Sequence, residues 1–489
     1  MLRELGELRE DAAGLAAQLA RAAYLMAAGL EQQASLRQLL KLHALACSAE
    51  GLAQAQEALA EAAAEDPRRP ARIARLTSLR AFLMRARALS LEPGAAQELF
   101  ELPRRPLVRL PGDAGLHGAV PAVRVFRELP ATRARERRGE MEAALAAALQ
   151  PADGARSAVW DAALEAGARP DPAGADLCEK ILQGTDALAA DLGAWLVERH
   201  TGARRGSAER HDLLHLLHAP RCASAFPRGE MLRTVRRWSE MLHLDLTADG
   251  AVKADDEDRP LKWPGARALP LDPPWEVGLT FLPEEGPRAL GALLGATGVA
   301  QLRAGPPSDA PPEDLWLGDP AVQSACSALP EGLLREREFV RRCAKAELSR
   351  DDERAIAIAA VFDARLAAAR TLAEITAHES GLGARAAAAW REHFTRATGA
   401  QLPAGLALCD LDPWSSALAD LRGRMLAART RLFLRERYDE DFWRNPRSVQ
   451  SLQGMWGRGG RATFAELWAE MGGEPTVEPL LQEFTEACR

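Results

Sequence analysis

The stretch "RALGALLGATGVAQLRA", Arg288 to Ala304, decides how this chain is to be folded. It has the length and apolar content of a buried helix, yet it carries Gly291, Gly295 and Gly298. A glycine inside a helix costs roughly 1 kcal/mol relative to alanine, so three in one segment need a reason. Close packing against a second helix, a kink, or the loss of side chains that once carried chemistry would each supply one. Before this segment, acidic residues, prolines and "WEVGLTFL" (Trp275 to Leu282) indicate turns and one or two strands. After it come the Pro-rich "AGPPSDAPPEDLW" and uninterrupted helical texture to the end.

A chain of 489 residues is too long for one simple core, so two lobes are expected. Ala, Leu, Arg and Glu dominate, β-branched residues are sparse, and the only tyrosines are Tyr24 and Tyr438. That composition favours helix almost everywhere. The net charge of −7 comes from interspersed Lys/Arg and Asp/Glu, which does not indicate a nucleic-acid surface. The start, "MLRELGELREDAAG", lacks an apolar core of the signal-peptide kind, and no apolar run of about 18 residues predicts a membrane span. Seven scattered cysteines without a C-x-x-C pair fit reduced thiols. These features lead to the expectation of a soluble, cytoplasmic protein.

Amphipathic helices are predicted from Met1 to about Leu91, broken near Gly29 to Gln32 and at "EDPRRP". A Pro/Arg-rich passage from Glu101 leads into "AVRVFREL", whose alternation predicts an edge strand. Helices resume from about Arg135 to His200, interrupted by "GARPDPAG". "RGEMLRTVRRWSEMLHLDLT" reads as a helix leading into a strand. The expected fold is mainly α: a two-lobed helical ellipsoid with a small β-sheet beside a central cleft. Residues 1–200 would form an N-terminal helical lobe and residues 201–489 the second lobe.

That order resembles the catalytic region of zinc metallopeptidases of the thimet oligopeptidase and oligoendopeptidase type, and of the related carboxypeptidase Taq-like enzymes. The resemblance covers about Ser207 to Gly473. In those families a helix bears His-Glu-x-x-His, whose imidazoles at i and i+4 share one face, and a downstream glutamate completes the zinc site. "ALLGATGVA" (Ala292 to Ala300) is similar to that helix at Ala292, Leu293, Gly298 and Ala300. On this register the histidine positions fall on Gly295 and Val299, and the general base falls on Ala296. "LGDPAVQSACSAL" (Leu317 to Leu329) resembles the helix of the third ligand, whose position falls on Ser324. "LCDLDPWSSALADLRGRML" (Leu408 to Leu426) resembles the segment supplying tyrosines that stabilise the tetrahedral intermediate; those positions read Ser415 and Asp420. The stretch "LKWPGARALPLDPPWEVGLTFLPEEG" resembles the strand pair that binds substrate backbone by β-addition, making Glu276, Val277, Gly278 and Leu279 the peptide-binding candidates.

The resemblance implies a gluzincin-like fold with its His-Glu-x-x-His motif degenerated. Gly, Val and Ala offer no lone pair to a metal, and Ser is a poor ligand. Loss of a general base alone costs on the order of 10²–10⁴-fold. The expectation is therefore a pseudopeptidase without zinc or other cofactor. It would bind a peptide or protein partner in its cleft, with no nucleic acid and no membrane. The vacated face would be an empty pocket or one plugged by a large side chain such as Trp414.

Other readings stay open at this point. "ERHDLLHLLHAPRC" sets His211, His215 and His218 on one helix face near Cys222, a conceivable non-standard metal site for a residual hydrolase. Three ligands over seven residues rise about 10 Å, so one ion would take only an adjacent pair. A regulatory subunit paired with an active paralogue is a third possibility. Cys409 with His378 and His393 could suggest a thiol nucleophile, but single buried cysteines are usually inert. The glycine-rich "GRGGRATFAE" lacks the Lys-Ser/Thr ending of a phosphate loop and reads as a turn.

Overall fold

The computed structural model describes residues 2–30, 35–65, 70–110, 118–201, 206–247 and 250–489. Seven helices and three strands position the site. They are α1 (Leu2–Ala28), α2 (Pro70–Leu91), α3 (Arg210–Leu217), α4 (Pro287–Ala304), α5 (Pro320–Glu331), α6 (Arg350–Ser380) and α7 (Ser416–Tyr438). The strands are β1 (Val252–Asp255), β2 (Ala266–Asp272) and β3 (Glu276–Phe281). Helix dominates, as expected from a chain rich in Ala and Leu.

Helix α4 is the centre of the molecule. It begins after Gly286, whose φ of +116° turns the chain out of the sheet, and Pro287 occupies its first turn. Fourteen of its 18 residues are buried, so it is apolar nearly all round rather than amphipathic. Helix α5 starts under a well-made cap. One Asp319 oxygen accepts from Ala321 N and the other from Phe464 N, each at 2.8 Å. Helix α6 opens with a Ser349/Asp352 capping box and runs 31 residues through the main core.

The sheet order is β1-β3-β2, with β1 parallel and β2 antiparallel to β3. Helix α1 crosses this sheet at Gly278, where a Cβ would lie 2.4 Å from the Tyr24 ring, so only glycine lets the helix come so close.

Three expectations change. "AVRVFREL" lies in a helix, Ala122–Ala131, with Ala122, Val123, Val125 and Leu129 buried; its alternation is shared with a helical face, and burial on that face prevails. The residues after the Met231–Leu242 helix form no strand, because His243 turns the chain in a left-handed conformation at φ +51°. The cores also do not separate at residue 200. Cys178, Ile181, Leu182 and Leu196 pack into the same core as α4–α7, whereas Leu8, Leu15, Leu79 and Leu83 belong to a separate one. Buried Arg365 of α6 fastens that junction, donating to Leu182 O at 2.7 Å and Thr185 Oγ1 at 2.8 Å.

Candidate functional site

Helices α4, α5 and α7, the edge of β2 and the flank of α2 enclose a cavity of about 750 Å³. Ala292, Ala296, Val299 and Arg303 face it from α4, a spacing of four, three and four that defines one helical stripe. Ser324, Ser327 and Glu331 face it from α5, and Asp420 and Arg424 from α7. Arg85 and Phe82 of α2 close the opposite wall.

The glycines of α4 lie on a different stripe and have their own reason. A Cβ on Gly298 would sit 1.9 Å from the Cys326 carbonyl oxygen, and one on Gly291 3.2 Å from the Leu334 side chain. One on Gly295 would sit 2.5 Å from Ser327 Oγ. These residues let α4 and α5 meet backbone to backbone. Gly423 does the same for α7, since its Cβ would fall 2.4 Å from that of Ser324.

The positions singled out in the sequence are therefore divided. Ala296, Val299, Ser324 and Asp420 line one cavity. Gly295 is turned toward Ser327 and is not among the lining residues. Ser415 precedes α7 in a left-handed conformation at φ +54°, also outside the lining. Trp414 does not plug the space; it lies under the Arg85 guanidinium, 5.6 Å from the ring centre, beside the cluster of Ala88, Ala162 and Ala163.

The strand expected to bind peptide edge-on needs correcting. Glu276, Val277, Gly278 and Leu279 belong to β3, whose two edges are already hydrogen-bonded to β1 and β2. The end strand is β2, and its residues Ala266 to Leu269 border the cavity. Alternation revealed strands, but strand order follows from chain connections that alternation does not encode.

Charge is the property that the sequence did not disclose. Five arginines (Arg85, Arg267, Arg288, Arg303 and Arg424) and two carboxylates (Glu331 and Asp420) give the lining a formal charge of +3. Two of the arginines have carboxylate partners: Arg288 pairs with Asp363, and Arg424 Nε donates to Asp420 Oδ2 at 2.9 Å. Asp420 also accepts from Ser324 Oγ at 2.8 Å. Burial opposes the charge of Asp420, but Arg424 and these hydrogen bonds outweigh it and hold the carboxyl below its usual range. The other three arginines have no carboxylate partner among the described residues. Arg85 stacks on Trp414 and Arg267 on Trp263, while Arg303 donates to Leu317 O and Gln323 Oε1, each at 2.8 Å. Burial lowers Arg85 against the opposing charge of Asp412, and lowers Arg303 to about 10. The five arginines come from four separated segments, and no spacing in the sequence links them.

The donor set around the cavity does not suit zinc. Ala296 and Val299 have no lone pairs, and Asp420 is held by Arg424 and Ser324. Among the described residues no group of three His, Cys, Asp or Glu side chains could hold a metal ion. At α3, one ring nitrogen of His211 and one of His215 are already taken by protein partners. His211 Nε2 meets Glu209 and His215 Nδ1 meets the Pro130 carbonyl, both at 2.7 Å. Burial, with Arg288 and His215 nearby, lowers His218. Burial also raises the Cys409 thiol to about 11, which leaves little thiolate for nucleophilic attack.

No family model matches this sequence, and no curated protein matches it. Solved structures do. The chain superposes along its whole length on a metallocarboxypeptidase from Trypanosoma cruzi, with 100% of both chains covered, TM-score 0.56 and 13% identity. A carboxypeptidase from Pyrococcus furiosus gives TM-score 0.58 and 12% identity over 99% of both chains. A Bacillus anthracis protein assigned as an oligoendopeptidase F gives TM-score 0.57 and 11% identity, covering 89% of this chain and 81% of its own. The fold is thus that of the helical metallocarboxypeptidases and oligoendopeptidases, the architecture implied by the order of elements in the sequence.

Proposed function

We propose that this chain is a peptidase-fold protein that has left metal-dependent hydrolysis behind and uses its cleft to bind peptide. The observation that carries this reading is the cavity wall. Where a metal and a base would be needed, α4 and α5 present Ala296, Val299 and Ser324. Without a metal there is no Lewis acid and no metal-activated water, and of the two lining carboxylates Asp420 is held by Arg424 and Ser324. The free edge of β2 along the cavity supports peptide binding, since an end strand offers backbone groups to an extended ligand.

Elemental analysis of dialysed protein, coupled to calorimetric titration with short peptides, tests the reading. The expected result is far less than one metal per chain together with saturable peptide binding. A stoichiometric metal with peptide cleavage would overturn it. The glycine packing adds a condition for restoring a zinc site. Gly295→His, Ala296→Glu, Val299→His and Ser324→Glu are expected to bind zinc only with relief of the contact to Ser327, as by Ser327→Gly.

A further inference from the structure

We propose that the ligand of this cleft is an extended acidic peptide, recognised through separated side-chain carboxylates by Arg85, Arg267 and Arg303, with Arg288 and Arg424, already paired to Asp363 and Asp420, adding to the positive lining. This rests on the reading of the cleft as a peptide-binding site and names the chemistry of what it takes.

The first ground is charge. The chain carries −7 overall, yet the lining of its cavity carries +3. Cations concentrated in a concave, low-dielectric site focus their field on whatever enters. Interspersed surface charge would not collect in this way, and guanidinium is the side chain suited to two-pronged binding of carboxylates.

The second ground is the absence of partners. Arg85, Arg267 and Arg303 face aromatic rings or neutral oxygens, and none of them forms an ion pair with a carboxylate among the described residues. Arg303 is held in place by Leu317 O and Gln323, and Arg85 and Arg267 by stacking on Trp414 and Trp263. Orientation without neutralisation is the arrangement of a receptor, because the ligand then supplies the counter-charge.

The third ground is extent. Arg288 and Arg303 lie fifteen residues apart on α4, which is about 22 Å along the axis at 1.5 Å per residue. Arg267 lies on β2 and Arg85 on the facing helix. Charges spread so far suit carboxylates distributed along a chain better than one compact anion. The outer edge of β2 runs beside them, so an extended backbone has a strand to follow.

The test uses the full-length protein and calorimetric or fluorescence titration. Glu-rich, Lys-rich and uncharged Ser/Ala peptides of one length are compared, with citrate and pyrophosphate as compact polyanions. The Glu-rich peptide is expected to bind at least tenfold tighter than the uncharged one, with affinity falling as salt rises, and the Lys-rich peptide should not bind. Arg267→Gln and Arg303→Gln should each weaken the Glu-rich peptide at least fivefold, with the melting temperature confirming an intact fold. Equal binding of uncharged and acidic peptides would overturn the charge inference while leaving peptide binding in place. Tight binding of citrate or pyrophosphate with no peptide bound would overturn both the extended ligand and the peptide reading. An absence of binding in every arm would overturn both as well.

Discussion

Two charge systems in this molecule are built on opposite rules. Around α3, three arginines each have an acid. Arg138 and Arg135 both hold Asp212, at 2.9 and 3.0 Å, and Arg210 holds Glu142 at 3.0 Å. Asp212 is completely buried, and burial would raise its carboxyl, but His211, the two arginines and a backbone amide outweigh this and hold it far below the usual range. In the cavity, two of the five arginines have an acid of their own among the described residues. The first system closes on itself and can do nothing except hold segments together. The second is ordered but open. The difference separates the two: the arginines beside the histidine-rich helix are matched by acids, whereas Arg85, Arg267 and Arg303 of the cavity have no carboxylate partner among the described residues.

The strongest way to break this contrast is to cut the closed network. Asp212→Ala leaves Arg138 buried and uncompensated, and urea unfolding should show a loss of about 3–5 kcal/mol at neutral pH. Because the native carboxyl is depressed, that contribution is present above the usual aspartate range and is lost as pH falls through it. A loss below about 1 kcal/mol would mean that the network is not the fastener described here.

A carboxylate near the cavity supplies the intermediate case. Burial, reinforced by nearby Asp412, raises Glu374 to about 7 despite its bond from Arg370. The folded state then holds a proton that the unfolded chain releases, so stability should fall as pH rises from about 4.5 to about 7. The expected fall is up to about 3 kcal/mol, read from urea midpoints across that range. Glu374→Gln should flatten this part of the profile; an unchanged slope would assign it to another group.

On the cavity's own wall, packing rather than charge sets the cost. Gly298→Ala forces a methyl against the Cys326 carbonyl and should lower stability by about 1–3 kcal/mol in chemical denaturation. Smallest of all, Arg267→Gln should change stability by no more than about 0.5 kcal/mol, since this exposed residue has no carboxylate partner. A larger loss would place Arg267 with the structural arginines and against the open system.

The fold was legible because α4 and its neighbours occur in a characteristic order, with strand residues before and a capped helix after. Asp319 and Pro320 mark the start of α5 in the sequence as plainly as in the structure. The glycines were legible as an anomaly but not as to cause. Whether Gly295 faces a vanished ligand or the backbone of α5 depends on rotation of the helix about its axis, and one sequence leaves that open. The basic lining was not legible at all. Arg85, Arg267 and Arg424 meet only after folding, and each alone resembles any other surface arginine. The β3 edge was misassigned for a related reason: the strand that is central depends on the parallel return of β1, which no local signal announces.

The crossing of α1 over the sheet offers a spectroscopic handle. Tyr24, one of only two tyrosines in the chain, lies against Gly278, and its phenol is raised mainly by burial, with Asp255 adding to the shift. Its ionisation, followed by ultraviolet difference absorption, reports whether the N-terminal helix remains seated on the strands beside the cleft. A peptide that pries the two apart would release Tyr24 toward the titration of free phenol, whereas one that threads past them would leave it untouched. One aromatic ring thus distinguishes a receptor that yields on loading from one already shaped for its cargo.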